Sequence, residues 1–201
     1  MKFHLVNKSL DKDQFSEILS IIRSENGSSV LGNLSSKNTR DYLNIIVENK
    51  NMELFVILNP NIIGYAIMVS KPDTLIKNFE KLKFKIFIDL FFKLKFFTLT
   101  NIAISFLNID TLFLDKQNKH LMNKSVNLNL LAIEKKFQGQ GLGSSFLKFI
   151  IQSTKFKTDF ITCETNNLRS TNFYMKKLKF NIIGNKIRVP KIFKVLIKKI
   201  N

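Results

Sequence analysis

In the first seventy residues, short runs of apolar residues alternate with stretches in which apolar residues recur at helical spacing. Residues 3–6 predict a strand, and Asp11 with Gln14 three residues later is typical of a capping box that starts a helix reaching residue 24. The polar stretch 27–38 predicts a loop, and residues 40–47 predict a second helix. Two β-rich runs, 54–58 and 62–69, flank the turn-forming residues 59–61 and predict an antiparallel hairpin.

The middle of the chain is apolar but punctuated by lysine. Over residues 74–97 apolar side chains recur every three or four positions, with lysines on another face, which predicts an amphipathic basic helix. A second helical piece is expected at 100–107, followed by a polar connector at 116–124.

The last third predicts alternating strands and helices. Strands are expected at 126–133 and 160–164, and helices at 142–154 and 168–177. Closing strands are expected at 180–183 and 187–189, with Pro190 ending the regular pattern. The whole pattern predicts one α/β (α+β) domain over residues 1–201, with a helical insertion at about 74–124 between the third and fourth strands.

Charge changes this picture only a little. The chain has a net charge of +17 and a pI near 10.0, which on its own is compatible with a polyanionic partner. Lysine supplies most of the 32 basic residues, and arginine, which nucleic-acid readers prefer, occurs only at Arg23, Arg40, Arg169 and Arg188. We therefore expect no specific nucleic-acid partner.

Cysteine content and hydropathy bear on the compartment. The single cysteine, Cys163, excludes an internal disulfide, and its place in a strand favours a core residue over a nucleophile. No secretory leader pattern is present, and no apolar run approaches the roughly 18 residues that a membrane span requires. These features predict a cytoplasmic protein without a membrane span, and no group of residues suggests a metal site.

A glycine-rich loop joins the predicted strand 126–133 to the following helix. Gly139, Gly141 and Gly143 alternate with other residues, so the backbone can adopt positive φ values and present its amides to an anion at a helix N-terminus. The Walker pattern is absent, and the dinucleotide pattern fails because Ser144 follows Gly143. The loop predicts a phosphate or pyrophosphate site, although a purely structural turn is the alternative.

Two motifs resemble the GNAT superfamily of acetyl-CoA-dependent N-acetyltransferases. Gln138-x-x-Gly141-x-Gly143 after an apolar strand is similar to that family's cofactor motif. Asn167-x-x-Ser170-x-x-Phe173-Tyr174, followed by Phe180, is similar to its later motif. The resemblance implies a mixed, mostly antiparallel sheet that splays between its fourth and fifth strands to admit acetyl-CoA.

The same resemblance implies the residues that hold the cofactor. The fourth strand would pair with the pantetheine amides, the loop amides would hold the pyrophosphate, and Asn167 would bond the pantetheine or the opening between the two strands. The implied cofactor-binding residues are Leu131, Ala132, Ile133, Gln138, Gly139, Gln140, Gly141, Leu142, Gly143, Ser144, Asn167, Ser170 and Phe173.

The catalytic groups are less sharply indicated. Tyr174 would protonate the departing thiolate, and Glu164 and Glu134 are the candidates for a general base. Thr162 stands where the ribosomal-protein-alanine branch of the family has a glutamate base, which argues against that specific activity. The motif also departs from the family's pattern at Lys179, which replaces a glycine, and by one extra residue between Tyr174 and Phe180.

The insertion leaves the acceptor open. The helix expected at 74–97 is interpreted as a pocket wall, a peripheral membrane element or core padding. The predicted reaction is acetyl transfer to a primary amine, with an amino-sugar nucleotide or another small amine as acceptor, in a monomer or homodimer. The competing prediction is an inactive CoA-binding, nucleic-acid or membrane-surface module.

Overall fold

The computed structural model describes residues 1–27, 29–70, 80–106, 111 and 113–200. The strands are β1 Lys2–Val6, β2 Met52–Asn59, β3 Asn61–Val69, β4 Val126–Ile133, β5 Phe160–Thr165, β6 Asn181–Arg188 and β7 Lys191–Lys199. The helices are α1 Lys12–Glu25, α2 Val30–Asn33, α3 Ser36–Glu48, α4 Glu80–Phe92, α5 Phe96–Phe106, α6 Lys116–Lys124, α7 Leu142–Ser153 and α8 Leu168–Asn172.

The seven strands form a single mixed sheet in the order β1-β2-β3-β4-β5-β7-β6. Every neighbouring pair is antiparallel except β4 and β5, which are parallel. The β4–β5 ladder has only three pairs and ends at Leu128 opposite Cys163. Beyond this point the two strands diverge, which confirms the predicted splayed, mostly antiparallel sheet.

Two apolar cores lie on opposite faces of this sheet, because neighbouring strand residues point to opposite sides. Leu54 and Val56 of β2 pack into the core under α1, α3 and α4, whereas Phe55 and Ile57 pack into the core under α7. Each face of the sheet is therefore closed by helices, and the divergence of β4 and β5 lies between the two layers.

Helix α1 begins at the predicted capping box. The Asp11 side chain accepts from the Gln14 backbone N–H at 2.8 Å, and the Gln14 side chain accepts from the Asp11 N–H. The loop predicted for 27–38 is wrong in part, because α2 lies inside it and α3 already begins at Ser36. Ser29 and Ser35 cap these helices, so the serines that suggested a loop are helix N-caps.

The insertion differs from its prediction. Residues 74–79 lie outside the described part, but the remainder of the expected helix 74–97 is broken at Lys93–Lys95, where Leu94 adopts φ 53°. Helix α5 then begins at Phe96 rather than at residue 100. The polar connector predicted at 116–124 is wrong, since α6 forms there with Asp115 accepting from the Asn118 N–H at 2.7 Å.

The C-terminal strands were also incompletely predicted. The two closing strands expected at 180–183 and 187–189 are one continuous strand, β6. Pro190 does not end the regular structure, because Val189 and Pro190 form the two-residue turn between Arg188 and its partner Lys191. The strand after this turn, β7, inserts between β5 and β6 and was not predicted.

Candidate functional site

An open strand edge forms where β4 leaves β5. On its other side, β4 stays paired with β3 from Leu130 to Ile133. Ile67 pairs with Leu130 and Met68 with Leu128, so Asn129 is an extra residue that bulges the strand just past the last β4–β5 pair. The backbone from Asn129 to Ile133 therefore presents about 13 Å of strand edge to the opening.

The glycine loop closes the far end of this opening. Gly139 and Gly141 adopt φ values of 84° and 80°, which a side chain would strain. A Cβ built on either glycine would meet no atom within 4 Å, so these glycines are needed for backbone shape and face open space. Gly141 is also the N-cap of α7, and the first-turn amides of Leu142 and Gly143 come directly after it.

Gly143 is a glycine for a different reason. A Cβ at this position would lie 3.0 Å from Phe173 Cζ and 3.7 Å from Ile133 Cδ1. The start of α7 thus packs directly on the end of β4 and on the aromatic pair of the second motif. The two sequence motifs, separated by about thirty residues in the chain, meet at this contact.

The side chain of Gln138 fixes the loop to its surroundings. Its Nε2 donates to the carbonyl oxygen of Ile133 at 2.7 Å and to Glu25 Oε2 at 2.9 Å. The amide therefore ties the loop to the end of β4 and to α1, so Gln138 shapes the loop through these bonds. The predicted loop residues Gln140 and Ser144 lie beside it, with Gln140 Nε2 donating to the Lys136 carbonyl oxygen at 3.3 Å.

Basic residues flank the loop on its exposed side. Lys135 and Lys136 form a short 3₁₀ turn between β4 and the glycines, and both are exposed. Glu134, a predicted base, forms an ion pair with Lys136 at 2.8 Å. Glu134 follows β4 at the phosphate-loop end of the opening, whereas Glu164 lies on β5 at the opposite end of the opening, where β4 and β5 separate.

Asn167 caps the helix that carries the second motif. Its Oδ1 accepts from the Arg169 N–H at 2.8 Å and from the Ser170 N–H at 3.4 Å. This places the start of α8 just after β5 and aims Phe173 at Gly143. The side-chain amide oxygen of Asn167 thus caps the N-terminus of α8.

Tyr174 is buried in the apolar core under α7. It is 8% exposed and packs edge-on against Phe173 and Phe180, with ring centroids 5.2 Å and 5.3 Å away. Burial raises the pKa of Tyr174 well above its ordinary value, and Cys163 on β5 raises it further. The phenol therefore stays protonated at neutral pH, which is the form that a proton donor needs.

A π-helical turn accounts for the unusual spacing of the second motif. Residues Phe173–Lys177 continue α8 with a π turn, closed by the Leu178 N–H bonding the Phe173 carbonyl at 3.2 Å. Such a turn accommodates one extra residue without shifting the next strand. Lys179 has φ 60°, so it occupies a left-handed position in which glycine would be free of strain.

The carboxylate of Glu164 lies just beyond the last β4–β5 pair. Its Oε1 lies 2.6 Å from Lys186 Nζ, and its Oε2 lies 3.2 Å from Arg188 Nη2. Burial by itself would raise the pKa of Glu164, but the two cations and their hydrogen bonds lower it to about 2. Glu164 is therefore a stable carboxylate with little tendency to take up a proton.

The partners of Glu164 could not be seen from motif spacing. Lys186 and Arg188 are two residues apart in β6, so they share a face of the strand, but only the unpredicted β7 fixes where that face lies. Arg188 Nη1 also donates to Ser105 Oγ of α5. Asn101, one turn earlier on α5, donates to the Val189 carbonyl at 2.8 Å, while its Oδ1 is buried and has no hydrogen-bond partner among the described residues.

Thr162 and Cys163 contribute no acid–base group. Thr162 is fully buried and its Oγ1 lies 2.8 Å from Ser125 Oγ, within a polar pair between β5 and the start of β4. Cys163 is 1% exposed, and burial together with the nearby Glu164 charge raises the pKa of its thiol. Cys163 is thus a neutral core residue, as expected.

Comparison with solved structures identifies the architecture. A putative acetyltransferase of the GNAT family from Desulfovibrio desulfuricans aligns over 100% of both chains at 10% identity, with a TM-score of 0.57. The chain has the GNAT fold. The ribosomal-protein-S18-alanine N-acetyltransferase from Escherichia coli aligns over 100% of this chain and 95% of its own length, at 13% identity and a TM-score of 0.56.

Other similar structures lead to the same fold. PH1933 from Pyrococcus horikoshii OT3 aligns over 100% of this chain and 99% of its own, at 16% identity and a TM-score of 0.58. Neither models of known families nor curated proteins match this sequence. The structural likeness confirms the predicted GNAT-like architecture with its mixed, mostly antiparallel sheet, and at this low identity it shows the fold alone.

Proposed function

We propose that this protein binds acetyl-CoA and transfers its acetyl group to a primary amine. The observation that carries the proposal is the combination of a β4 edge that no described strand pairs with and a glycine loop at the end of that edge. Acetyl-CoA supplies the acetyl group as a thioester on an extended arm that ends in phosphates. The chain offers matching partners for both ends of that molecule.

The β4 edge fits the amide-containing arm. Backbone N–H and C=O groups from Asn129 to Ile133 lie beside the opening, where an extended ligand can add like a strand. The loop amides and the N-terminus of α7 suit the phosphates, and Lys135 and Lys136 add positive charge. The open space at Gly139 and Gly141 lets phosphate oxygens approach the backbone.

Tyr174 is the proposed proton donor to the departing thiolate. It adjoins Phe173, which contacts the start of α7, and its pKa is influenced by Cys163 at the last β4–β5 pair. Tyr174 and Cys163 belong to the same apolar core, and Cys163 is in the last β4–β5 pair before the strands separate. A thiol pKa near 8.5 makes the thiolate a tolerable leaving group, so this acid contributes at or below the usual range of about 10²- to 10⁴-fold.

Glu164 is the proposed anchor for the amine. Its carboxylate lies past the last β4–β5 pair, on the face of β5 opposite Cys163. With a pKa of about 2 it favours accepting hydrogen bonds from the amine over removing its proton. We propose that a water molecule takes one proton from the ammonium before nitrogen attacks the thioester carbonyl. The N–C bond then forms, the C–S bond breaks and the thiolate takes the Tyr174 proton. The second nitrogen proton restores the phenol, so one proton is released to solvent overall.

The insertion contributes to acceptor choice through α5. Ser105 bonds Arg188, and Asn101 brings a buried, unpartnered oxygen to the same end of β6. Phe87 of α4, in contrast, is 52% exposed and stacks on Phe91, so we assign acceptor selection to α5 rather than to Phe87. We propose that residues of α5 select the amine, with amino-sugar nucleotides among the acceptors to be tried.

An acceptor panel tests the activity. Purified protein with acetyl-CoA and small amines, amino-sugar nucleotides or peptide N-termini should release free thiol with at least one class of acceptor. The matched control is Gly141→Val, which blocks the phosphate loop and should abolish that release. If acetyl-CoA binds but no acceptor class causes thiol release, the protein is an inactive CoA-binding module.

A further inference from the structure

Helices α4 and α5 expose an unusual concentration of phenylalanine. Six phenylalanines on these helices are each between 50% and 79% exposed, namely Phe84, Phe87, Phe91, Phe92, Phe96 and Phe97. We call this set the phenylalanine patch. Soluble proteins rarely expose so large an apolar surface without using it for binding.

The patch is held outward by the packing beneath it. Leu82, Ile86 and Leu90 on the other side of α4 are at most 8% exposed and pack into the core under α1 and α3. Asp89 reinforces this anchor, with Oδ2 accepting from Asn38 Nδ2 at 2.9 Å and Oδ1 lying 3.0 Å from Lys93 Nζ. The helix cannot turn its phenylalanines inward without losing these contacts.

Lysines surround the patch. Lys85, Lys93 and Lys95 are exposed between its members, and Leu94 at the turn between the helices is 69% exposed. Lys85 lies 3.8 Å from Asp41 and Lys93 lies 3.0 Å from Asp89, so two of the three ammonium groups also have a carboxylate nearby. The only acidic side chain described on α4 and α5, Asp89, is directed to Asn38 and Lys93. Phenylalanine with lysine is the combination that favours an anionic lipid surface, where rings enter the headgroup boundary and lysines meet the phosphates.

The geometry suits a position in the interface rather than across it. The two helices have 13 and 11 residues, which gives lengths of about 20 and 17 Å, well short of a bilayer core. No helix within the described residues is long and apolar enough to span a membrane. The turn at Leu94 makes the two helices a hairpin whose exposed apex carries both ring and ammonium groups.

We infer that the α4–α5 hairpin docks this protein on anionic membrane surfaces through the phenylalanine patch and its lysines. The net charge of +17 adds long-range attraction to the same surface. This inference does not depend on acetyl transfer, because capture by a lipid surface requires neither the cofactor nor an acceptor.

Vesicle sedimentation tests the inference directly. Vesicles of phosphatidylcholine with phosphatidylserine should capture the protein, vesicles of phosphatidylcholine alone should capture much less, and added salt should release it. The double variant Phe92→Ser/Phe96→Ser should bind at least about tenfold more weakly. Lys95→Glu should weaken binding at least about fivefold, since one lysine near an anionic surface accounts for roughly that factor.

The matched control removes exposed apolar residues elsewhere. Leu168 and Ile182 are 73% and 41% exposed but lie on α8 and β6, so Leu168→Ser/Ile182→Ser should sediment like the wild type. Thermal unfolding of all variants checks that each is folded. Equal capture of wild type and Phe92→Ser/Phe96→Ser, or equal loss in the control, overturns the inference.

A second copy of the chain is the competing occupant. Sedimentation equilibrium without lipid distinguishes it, because a dimer interface would give a concentration-dependent dimer that Phe92→Ser/Phe96→Ser dissociates. If such a dimer forms and anionic vesicles leave the wild type in solution, the patch is a dimer interface and the membrane inference fails.

Discussion

Helix α7 and the α4–α5 hairpin are both rich in apolar residues, but α7 buries them and the hairpin exposes many of them. Phe146, Leu147 and Ile150 of α7 are at most 1% exposed because the helix lies flat on the sheet. The hairpin packs on the rest of the protein along one side only, so the phenylalanine patch on its other side is exposed. Apolar periodicity therefore identifies a helix in both cases, but burial depends on whether a second layer lies opposite.

The largest expected contrast is in stability. Phe146 is fully buried and stacks on Phe3 at 5.5 Å, so Phe146→Ala should cost about 3–5 kcal/mol of unfolding free energy. Phe92 is 79% exposed, and Phe92→Ala should change stability by less than about 0.5 kcal/mol. Urea denaturation measures both. Comparable losses would show that the hairpin is packed against another surface in solution.

The next contrast concerns turnover. Tyr174→Phe keeps the ring contacts and removes the hydroxyl, so the turnover number should fall about tenfold to a thousandfold while acetyl-CoA affinity is retained. Tyr65→Phe is the matched control and should leave the turnover number unchanged. Tyr65 is also buried, but it lies in the core under α1, α3 and α4, where its hydroxyl accepts from Asn26 Nδ2 at 2.7 Å. An unchanged turnover number for Tyr174→Phe across pH 6 to 9 would make Tyr174 a packing residue.

Acid should weaken the Glu164 cluster. Because the folded-state pKa is lowered to about 2, the stabilisation is complete above the unfolded-state value near 4.3 and is lost as pH falls through 2. A shift of this size corresponds to on the order of 2–3 kcal/mol. In denaturation experiments, the stability gap between wild type and Glu164→Gln should narrow from pH 7 to pH 2.5. A gap independent of pH would contradict the ion-pair assignment.

The smallest effect compares two strained turns, one after the π turn of the second motif and one in the hairpin. Lys179 after the π turn and Leu94 in the hairpin have φ values of 60° and 53°. Glycine relieves the left-handed strain, so Lys179→Gly and Leu94→Gly should each stabilise the protein by about 1 kcal/mol. Differential scanning calorimetry would detect a rise in Tm. A fall for either variant would mean that its side chain makes a contact worth more than the strain.

The regular part of the fold could be predicted because its signals are local. The Asp11–Gln14 capping box, the β2–β3 hairpin and the strand–loop–helix from β4 to α7 each depend on residues close together in the chain. The glycine loop was predicted residue by residue, since positive φ at Gly139 and Gly141 requires glycine. The roles proposed for these residues toward acetyl-CoA stay predictions.

The parts that escaped prediction depend on distant contacts or on ambiguous residues. Pro190 suggested an end to regular structure, yet it sits in the turn that starts β7. Serines at 29 and 35 fit a loop and a helix cap equally well in sequence. Glu164 pairs with Lys186 and Arg188, and Arg188 in turn bonds Ser105. These contacts join three elements, and nothing in the spacing of the residues shows that they meet.

The most direct test of the central claim is acetyl-CoA binding by isothermal titration calorimetry, with wild type and Gly141→Val compared. In the titration the wild type should bind one acetyl-CoA per chain. By linkage, this binding raises the unfolding free energy by about 2.7 kcal/mol at a hundredfold excess of acetyl-CoA over the dissociation constant. Gly141→Val should lose this binding yet stay folded, because its Cβ meets no protein atom within 4 Å and left-handed strain costs about 1–3 kcal/mol. No heat of binding for the wild type at millimolar acetyl-CoA would contradict the proposed function.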